Sequence, residues 1–233
     1  MNPRLSNFLS FLVTLLIPIA LLGLGLRLLL SPIFLQIEYN MPYFPADTYG
    51  FTKQDRLYWA PYAVDYLVNR ADISYLGDLK FEDGSPLYNE RELTHMEDVK
   101  RVTQGALRLW NTALVTLLLL GCFAYAQHKL WGRADWMPAY TRGFWRGGWL
   151  MMGLALSIGA IVVVGIAINP DVFWEFFTLF HKLFFTGNSW LFYYSDTLIR
   201  LFPIRFWQDA FLLAAFIALG GGLGLAFGLK PKA

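Results

Sequence analysis

The sequence predicts an all-α membrane protein with four transmembrane helices, an extracytoplasmic helical cap and a helix lying in the membrane interface. Three observations predict it. The chain of 233 residues is 56% hydrophobic and 18% aromatic, above the roughly 45–50% apolar content of a soluble domain. The apolar stretches 8–26, 106–127, 149–168 and 210–229 each approach the ~20 residues a helix needs to cross a bilayer. A further stretch at 169–190, NPDVFWEFFTLFHKLFFTGNSW, is too apolar for water and too short to span. The chain therefore reads as one integral membrane domain, residues 1–233, with an external cap drawn from 31–105 and 169–205.

The first span is flanked by Arg4 and Arg27. Its apolar run exceeds the ~7–15 residues of a signal-peptide core and no A-x-A-like cleavage site follows, so a retained helix is expected. Beyond it Pro32, Pro42 and Pro45 punctuate an aromatic connector. Thr52 and Asp55 have capping-box spacing ahead of RLYWAPYAVDYLVNR, with Pro61 a point for a kink. Asp83-Gly84-Ser85-Pro86 reads as a loop. Asn89 caps the next helix, with Glu92 at the capping-box position, and that helix runs into the second span with a bend at Gly105.

Residues 128–146 read as a basic, tryptophan-rich loop holding Lys129, Arg133, Arg142 and Arg146 against Asp135. After the third span, Asn169 is suited to cap the interfacial helix, Pro170 to its first turn and Gly187 to its stop. Asp171, Glu175, Thr178 and Lys182 fall at i, i+4, i+7 and i+11, a narrow polar stripe on an otherwise apolar helix. The approach to the fourth span starts at Pro203. Gly220, Gly224 and Gly228 then form a small-xxx-small face suited to close helix packing.

Lysine and arginine placement sets the orientation. Arg4, the basic loop and the tail with Lys230 and Lys232 share one side, so both termini are expected in the cytoplasm and the chemistry outside. A net charge of +2 without basic runs argues against nucleic acid. Ionisable residues at the centre of a span, the mark of a transporter, are missing. Cys122, the single cysteine, rules out an intramolecular disulfide and reads as an inert packing group.

Three histidines remain. His95 and His128 are 33 residues apart (128 − 95), roughly 50 Å along a continuous helix, so His128 cannot share a site with His95. His95 aligns with Val99, Val102, Ala106 and Leu109 on an apolar stripe, and Asp98 at i+3 can fix its tautomer. His181 lies beside the polar stripe of the interfacial helix. Both are expected at one external site, His95 as the acid–base residue and His181 assisting proton transfer or stabilising an oxyanion. Asn188 and Trp190, just past the interfacial helix, are assigned to positioning an ester or substrate.

The stretches LKFEDGSPLYNERELTHMEDVK (79–100), FHKLFFTGNSW (180–190) and DTLIRLFP (196–203) resemble the bacterial lipoprotein intramolecular transacylase family, as do Tyr49-Gly50-Phe51-Thr52 with Arg56 and Asp65-Tyr66-Leu67. The likeness covers essentially the whole chain and its four-span layout. It implies transfer of the sn-2 acyl chain of a diacylglyceryl-cysteine to the cysteine α-amine, giving a lyso-form lipoprotein in the bacterial plasma membrane. Through it Arg56 and Asp196 enter the site as a structural ion pair. The implied partners are diacylated lipoprotein and membrane lipid, with no nucleic acid, nucleotide, metal or other cofactor. Such a reaction suits two histidines, because amine and ester belong to one molecule and orientation replaces a covalent enzyme nucleophile. Two acyl chains would arrive laterally, in a cleft bordered by His95 and His181. Competing readings are a non-enzymatic membrane assembly or accessory protein, a zinc-dependent membrane hydrolase built on the histidines and nearby carboxylates, and a bis-histidine haem protein.

Overall fold

The computed structural model describes residues 3–169, 171–185 and 187–231. Its helices are α1 (Pro3–Leu29), α2 (Pro32–Tyr39), α3 (Lys53–Val68), α4 (Ser74–Gly77), α5 (Glu90–Leu130), α6 (Trp136–Ile168), α7 (Val172–Phe184), α8 (Thr197–Leu201) and α9 (Ile204–Gly228). Among the described residues no strand forms, and Lys80 and Pro86 make an isolated bridge. Four helices are long and apolar enough to cross a membrane: Arg4–Leu29, Glu90–Leu130, Trp136–Gly165 and Ile204–Gly228. The contacts divide the chain into two compact units. The first comprises Met1–Leu26, Leu107–Ile168 and Leu213–Ala233, the second Arg27–Ala106 and Asn169–Leu212.

The first unit is a helical bundle whose core joins Leu9, Val13 and Ile17 of α1, Leu117 and Ala124 of α5, and Trp136 and Ala139 of α6. Indole and phenol groups tie the helices through backbone oxygens. Trp110 Nε1 donates to Ala20 O at 3.0 Å, and Tyr140 Oη to Leu117 O at 2.8 Å. The expected glycine face of α9 is not the packing face, since a Cβ at Gly220, Gly224 or Gly228 would meet nothing within 4 Å. The close approach runs instead between Gly222 and Gly148. A Cβ at Gly148 would lie 2.8 Å from Gly222 O, and one at Gly222 would lie 3.0 Å from Gly148 O. Glycine is needed there because the opposing atoms are backbone and cannot yield.

Two boundaries depart from the sequence reading. The basic loop shrinks to a few residues because α6 already starts at Trp136. Arg142 and Arg146 ride on that helix, while Trp136 and Ala139 of its first turn enter the core, so burial overrides the charge that suggested a loop. Cys122 is exposed on α5 rather than packed.

The second unit is built on caps. Thr52 Oγ1 accepts from Asp55 N at 3.1 Å and Asp55 Oδ2 from Thr52 N at 2.7 Å. Asn89 Oδ1 accepts from Glu92 N at 3.1 Å and Glu92 Oε2 from Asn89 N at 2.8 Å. Both expected capping boxes therefore form, and α5 runs unbroken through Gly105. The aromatic rings of Phe34, Tyr39 and Phe206 cluster with centroids 5.3 and 6.1 Å apart around the last.

Helix α7 is shorter than expected, with Asp171 at its N-cap position. Asn169 lies two residues earlier, where its Oδ1 accepts from Asp171 N at 2.9 Å and its Nδ2 donates to Glu175. Pro170 lies outside the described residues. Asp171, Glu175 and Lys182 are exposed, but so are Trp174, Leu179, Leu183 and Phe184, so apolar as well as polar surface of α7 is uncovered.

Candidate active site

The site grows from two segments of the second unit. The charged first turns of α5, before the apolar stretch at 106–127, carry His95; α7 and the turn after it carry His181 and Trp190. Both histidines are buried, 7% exposed each. Their rings face each other at 6.0 Å between centroids and 23° between planes. Phe185 and Phe192 meet His95 edge-on at 5.0 and 5.3 Å. Phe177 lies 4.1 Å and Trp190 5.1 Å from the His181 ring. The pair is thus closed within an aromatic cluster, where the sequence led us to expect an open cleft.

The ring nitrogens are not equivalent. His181 Nδ1 lies 2.8 Å from Phe177 O. A carbonyl oxygen can only accept, so Nδ1 carries the proton and Nε2 keeps its lone pair. His95 Nδ1 is buried without a hydrogen-bond partner. Burial and the neighbouring His181 push His95 down to about 4. Burial also lowers His181, against the hydrogen bond to Phe177, which raises it. At neutral pH both imidazoles are uncharged, and each can take up a proton.

The other expected site residues divide. Trp190 joins the cluster, 9% exposed, with Nε1 unpartnered. Asn188 is exposed, its carbonyl accepting from Leu191 N at 3.1 Å. It belongs to the turn begun by Gly187, whose φ of 74° is costly for residues with a Cβ. Asp98 does not orient His95: it pairs with Arg101 at 3.2 Å, because a guanidinium one turn on offers a charged partner in water while the imidazole points inward. Arg56 and Asp196 form no ion pair. Arg56 Nε donates to Arg200 O at 2.9 Å and Nη1 to Pro45 O at 2.6 Å, pinning two loops. Asp196 pairs with Arg91 at 2.9 Å and accepts from Tyr193 N at 2.8 Å.

Among the described residues no group of three His, Cys, Asp or Glu side chains gathers as a metal-binding set. A cavity of about 360 Å³ is bounded by Tyr39, Phe44, Phe51, Lys53 and Arg56, among others; neither histidine lines it.

One functional support was missed. Glu92, one turn before His95 and 1% exposed, accepts from Leu198 N at 2.6 Å as well as from Asn89 N, so it ties α8 to the start of α5. Its position in the capping box was legible; its second bond, over 100 residues away in sequence, was not. Burial, opposed by these amide donors, raises its pKa from 4.5 to about 7. A raised pKa gives stability that is fully present below pH 4.5 and lost as pH climbs through 7. Glu92→Gln leaves one amide facing a donor, so at pH 5 it is expected to be about 1–3 kcal/mol less stable than wild type. The gap should narrow by pH 8, where only the wild type must bury a charge. Thermal unfolding in detergent at both pH values checks this; a gap that widens with pH reverses the assignment.

Comparison with known proteins matches this architecture. The family model of Lit, the lipoprotein intramolecular transacylase, matches residues 11–207. The chain belongs to the Lit family. It shares the fold of the membrane-integral lipoprotein intramolecular transacylase Lit from Bacillus cereus, with a TM-score of 0.68 and 18% identity over 96% of this chain and 94% of that one. A variant of the same Bacillus protein carrying a histidine-to-arginine mutation has a TM-score of 0.64 at 18% identity, over 98% and 92% of the two chains. An uncharacterized protein of Aquifex aeolicus is 26% identical over 226 residues, 96% of this chain and 94% of that protein. Family and apolar helices together make this chain an integral membrane protein of a bacterial transacylase family.

Proposed function

We propose that this Lit-family protein moves the sn-2 acyl chain of a diacylglyceryl-cysteine to the α-amine of the same cysteine, with His95 and His181 as its proton-transfer residues. The observation that carries the reading is the convergence of the two histidines, 6.0 Å apart between ring centroids, from segments 86 residues apart (181 − 95). The α-amine, with an ordinary pKa of about 7.7–8.0, must shed a proton to attack, and the leaving glycerol oxygen must gain one. A neutral imidazole with a free lone pair does the first, and as imidazolium does the second. His181 Nε2 has that lone pair by virtue of Phe177, so His181 takes the base role for which His95 was the first choice on sequence. Acyl donor and acceptor arrive in one molecule, so the step needs no acyl carrier, nucleotide or metal.

The exposed apolar residues of α7 suit a helix at the membrane surface, where a Phe-rich face would line the acyl chains. With both termini in the cytoplasm, the histidines face the outer leaflet. Reporter fusions after Ala139 and Gly187 are expected to report inside and outside respectively, and either reversed signal overturns this orientation.

The decisive assay incubates purified protein with diacylated lipoprotein in detergent plus a chelator and follows the acyl chain by mass spectrometry. Transfer to the amine supports the reading. An acyl chain still on glycerol, with the protein folded, defeats it and promotes the accessory-protein reading.

A further inference from the structure

We propose that the indole N–H of Trp190 is the oxyanion donor of this site, hydrogen-bonding the ester carbonyl oxygen as it gains negative charge. The inference rests on the transacylase reading. Trp190 is 9% exposed, its ring lies 5.1 Å from that of His181, and its Nε1 has no hydrogen-bond partner. An indole N–H can only donate, so the partner it lacks is an acceptor such as a carbonyl oxygen. The neighbouring Ser189 Oγ and His95 Nδ1 are buried and unpartnered too. Two of these unsatisfied polar atoms, Trp190 Nε1 and His95 Nδ1, therefore belong to one histidine-centred cluster.

Packing alone does not explain the indole. An apolar ring would pack in the cluster without burying a donor, and an orphaned buried donor forfeits its hydration. Elsewhere the protein satisfies such groups: Trp207 Nε1 donates to Phe202 O at 3.1 Å and Trp110 Nε1 to Ala20 O at 3.0 Å. Trp136 Nε1 in the first unit is also unpartnered, but its ring meets Phe123 at 5.0 Å, whereas the ring of Trp190 meets His181.

The roles interlock. His181 Nε2 is held as an acceptor and Trp190 Nε1 is a donor, so one side of the reacting centre takes a proton while the other receives negative charge. The amine nitrogen bonds to the ester carbon, the C=O π pair moves to oxygen, and the amine proton passes to His181 Nε2. As the oxyanion collapses, the bond from the acyl carbon to the glycerol oxygen breaks, and that oxygen takes the electron pair and the proton from His181. Ester and amine become amide and alcohol with nothing left over. The N–H is in place before charge develops, which is what makes such donors effective.

Two substitutions remove that hydrogen: β-(3-benzothienyl)alanine incorporated at position 190, which exchanges N–H for sulfur at nearly the same shape, and Trp190→Phe, which also shortens the ring system. With diacylated lipoprotein as substrate, each is expected to lower kcat by about 10²–10³-fold. KM should stay within about threefold, the pH profile should keep its position, and the melting temperature of the isosteric benzothienyl variant should not fall. Wild-type kcat in either folded variant overturns the inference, as does a loss that appears mainly in KM, which marks a packing role. Wild-type protein that transfers no acyl chain in the same assay overturns the transacylase reading itself.

Discussion

Replacing His181 by alanine is expected to lower the rate of acyl transfer by about 10²–10⁴-fold, the usual contribution of a positioned acid–base group. The size follows from how firmly the imidazole is prepared. Its Nδ1–H is committed to Phe177 O at 2.8 Å, and the rings of Phe177, His95 and Trp190 surround it. Nothing else in the cluster offers a lone pair fixed in that way. Alanine also leaves a cavity, so His181→Gln is the companion variant, filling the volume while giving no titratable nitrogen. Both should fail in single-turnover mass spectrometry with folded protein. A folded glutamine variant that transfers acyl chains at the wild-type rate removes His181 from the chemistry.

How legible this was in the sequence depends on the range of the forces involved. Both capping boxes were readable because each rests on partners three residues apart, Thr52 with Asp55 and Asn89 with Glu92. The four spans were readable because length and composition alone define them. The histidine pair was partly readable: His95 follows an apolar stripe, and His181 lies among phenylalanines. Partner choice was not. Asp98 has His95 three residues before it and Arg101 three residues after, and the charged neighbour takes it. Arg56 and Asp196 were paired by charge, yet Arg56 turns to the carbonyls of Pro45 and Arg200, and Asp196 to Arg91. Arg56 with Arg200 and Asp196 with Arg91 join segments more than 100 residues apart, for which local spacing holds no signal. Helix packing failed for a related reason. The regular Gly220, Gly224 and Gly228 face is visible in sequence, but the contact uses Gly222 because Gly148 of α6 lies opposite it.

His95→Phe is expected to abolish most activity while making the protein more stable. Phenylalanine keeps a flat ring against Phe185 and Phe192, which approach His95 edge-on. It removes the buried Nδ1 that has no partner, a group whose desolvation costs about 1–3 kcal/mol. If His95 takes part in proton transfer, acyl transfer should fall by about 10²-fold or more. The pH dependence supplies a separate signature. The His95 pKa is pushed from 6.5 down to about 4, so its contribution to stability is complete above pH 6.5 and is lost as pH falls through 4. That loss amounts to about 3 kcal/mol across the window, at 1.36 kcal/mol per unit. Glu38 and Glu92, both raised to about 7 by burial, act in the opposite sense, losing stabilisation as pH climbs from 4.5 to 7. In wild type these opposing slopes offset one another. Without His95 the carboxyl slope is opposed less, though still by the lowered His181, so the variant should gain more stability than wild type as the medium is acidified from pH 7 to 5. Thermal unfolding across that range, alongside the acyl-transfer assay, reads both effects. Full activity would make His95 a packing residue, and a less stable variant would mean that its nitrogen is held by a partner.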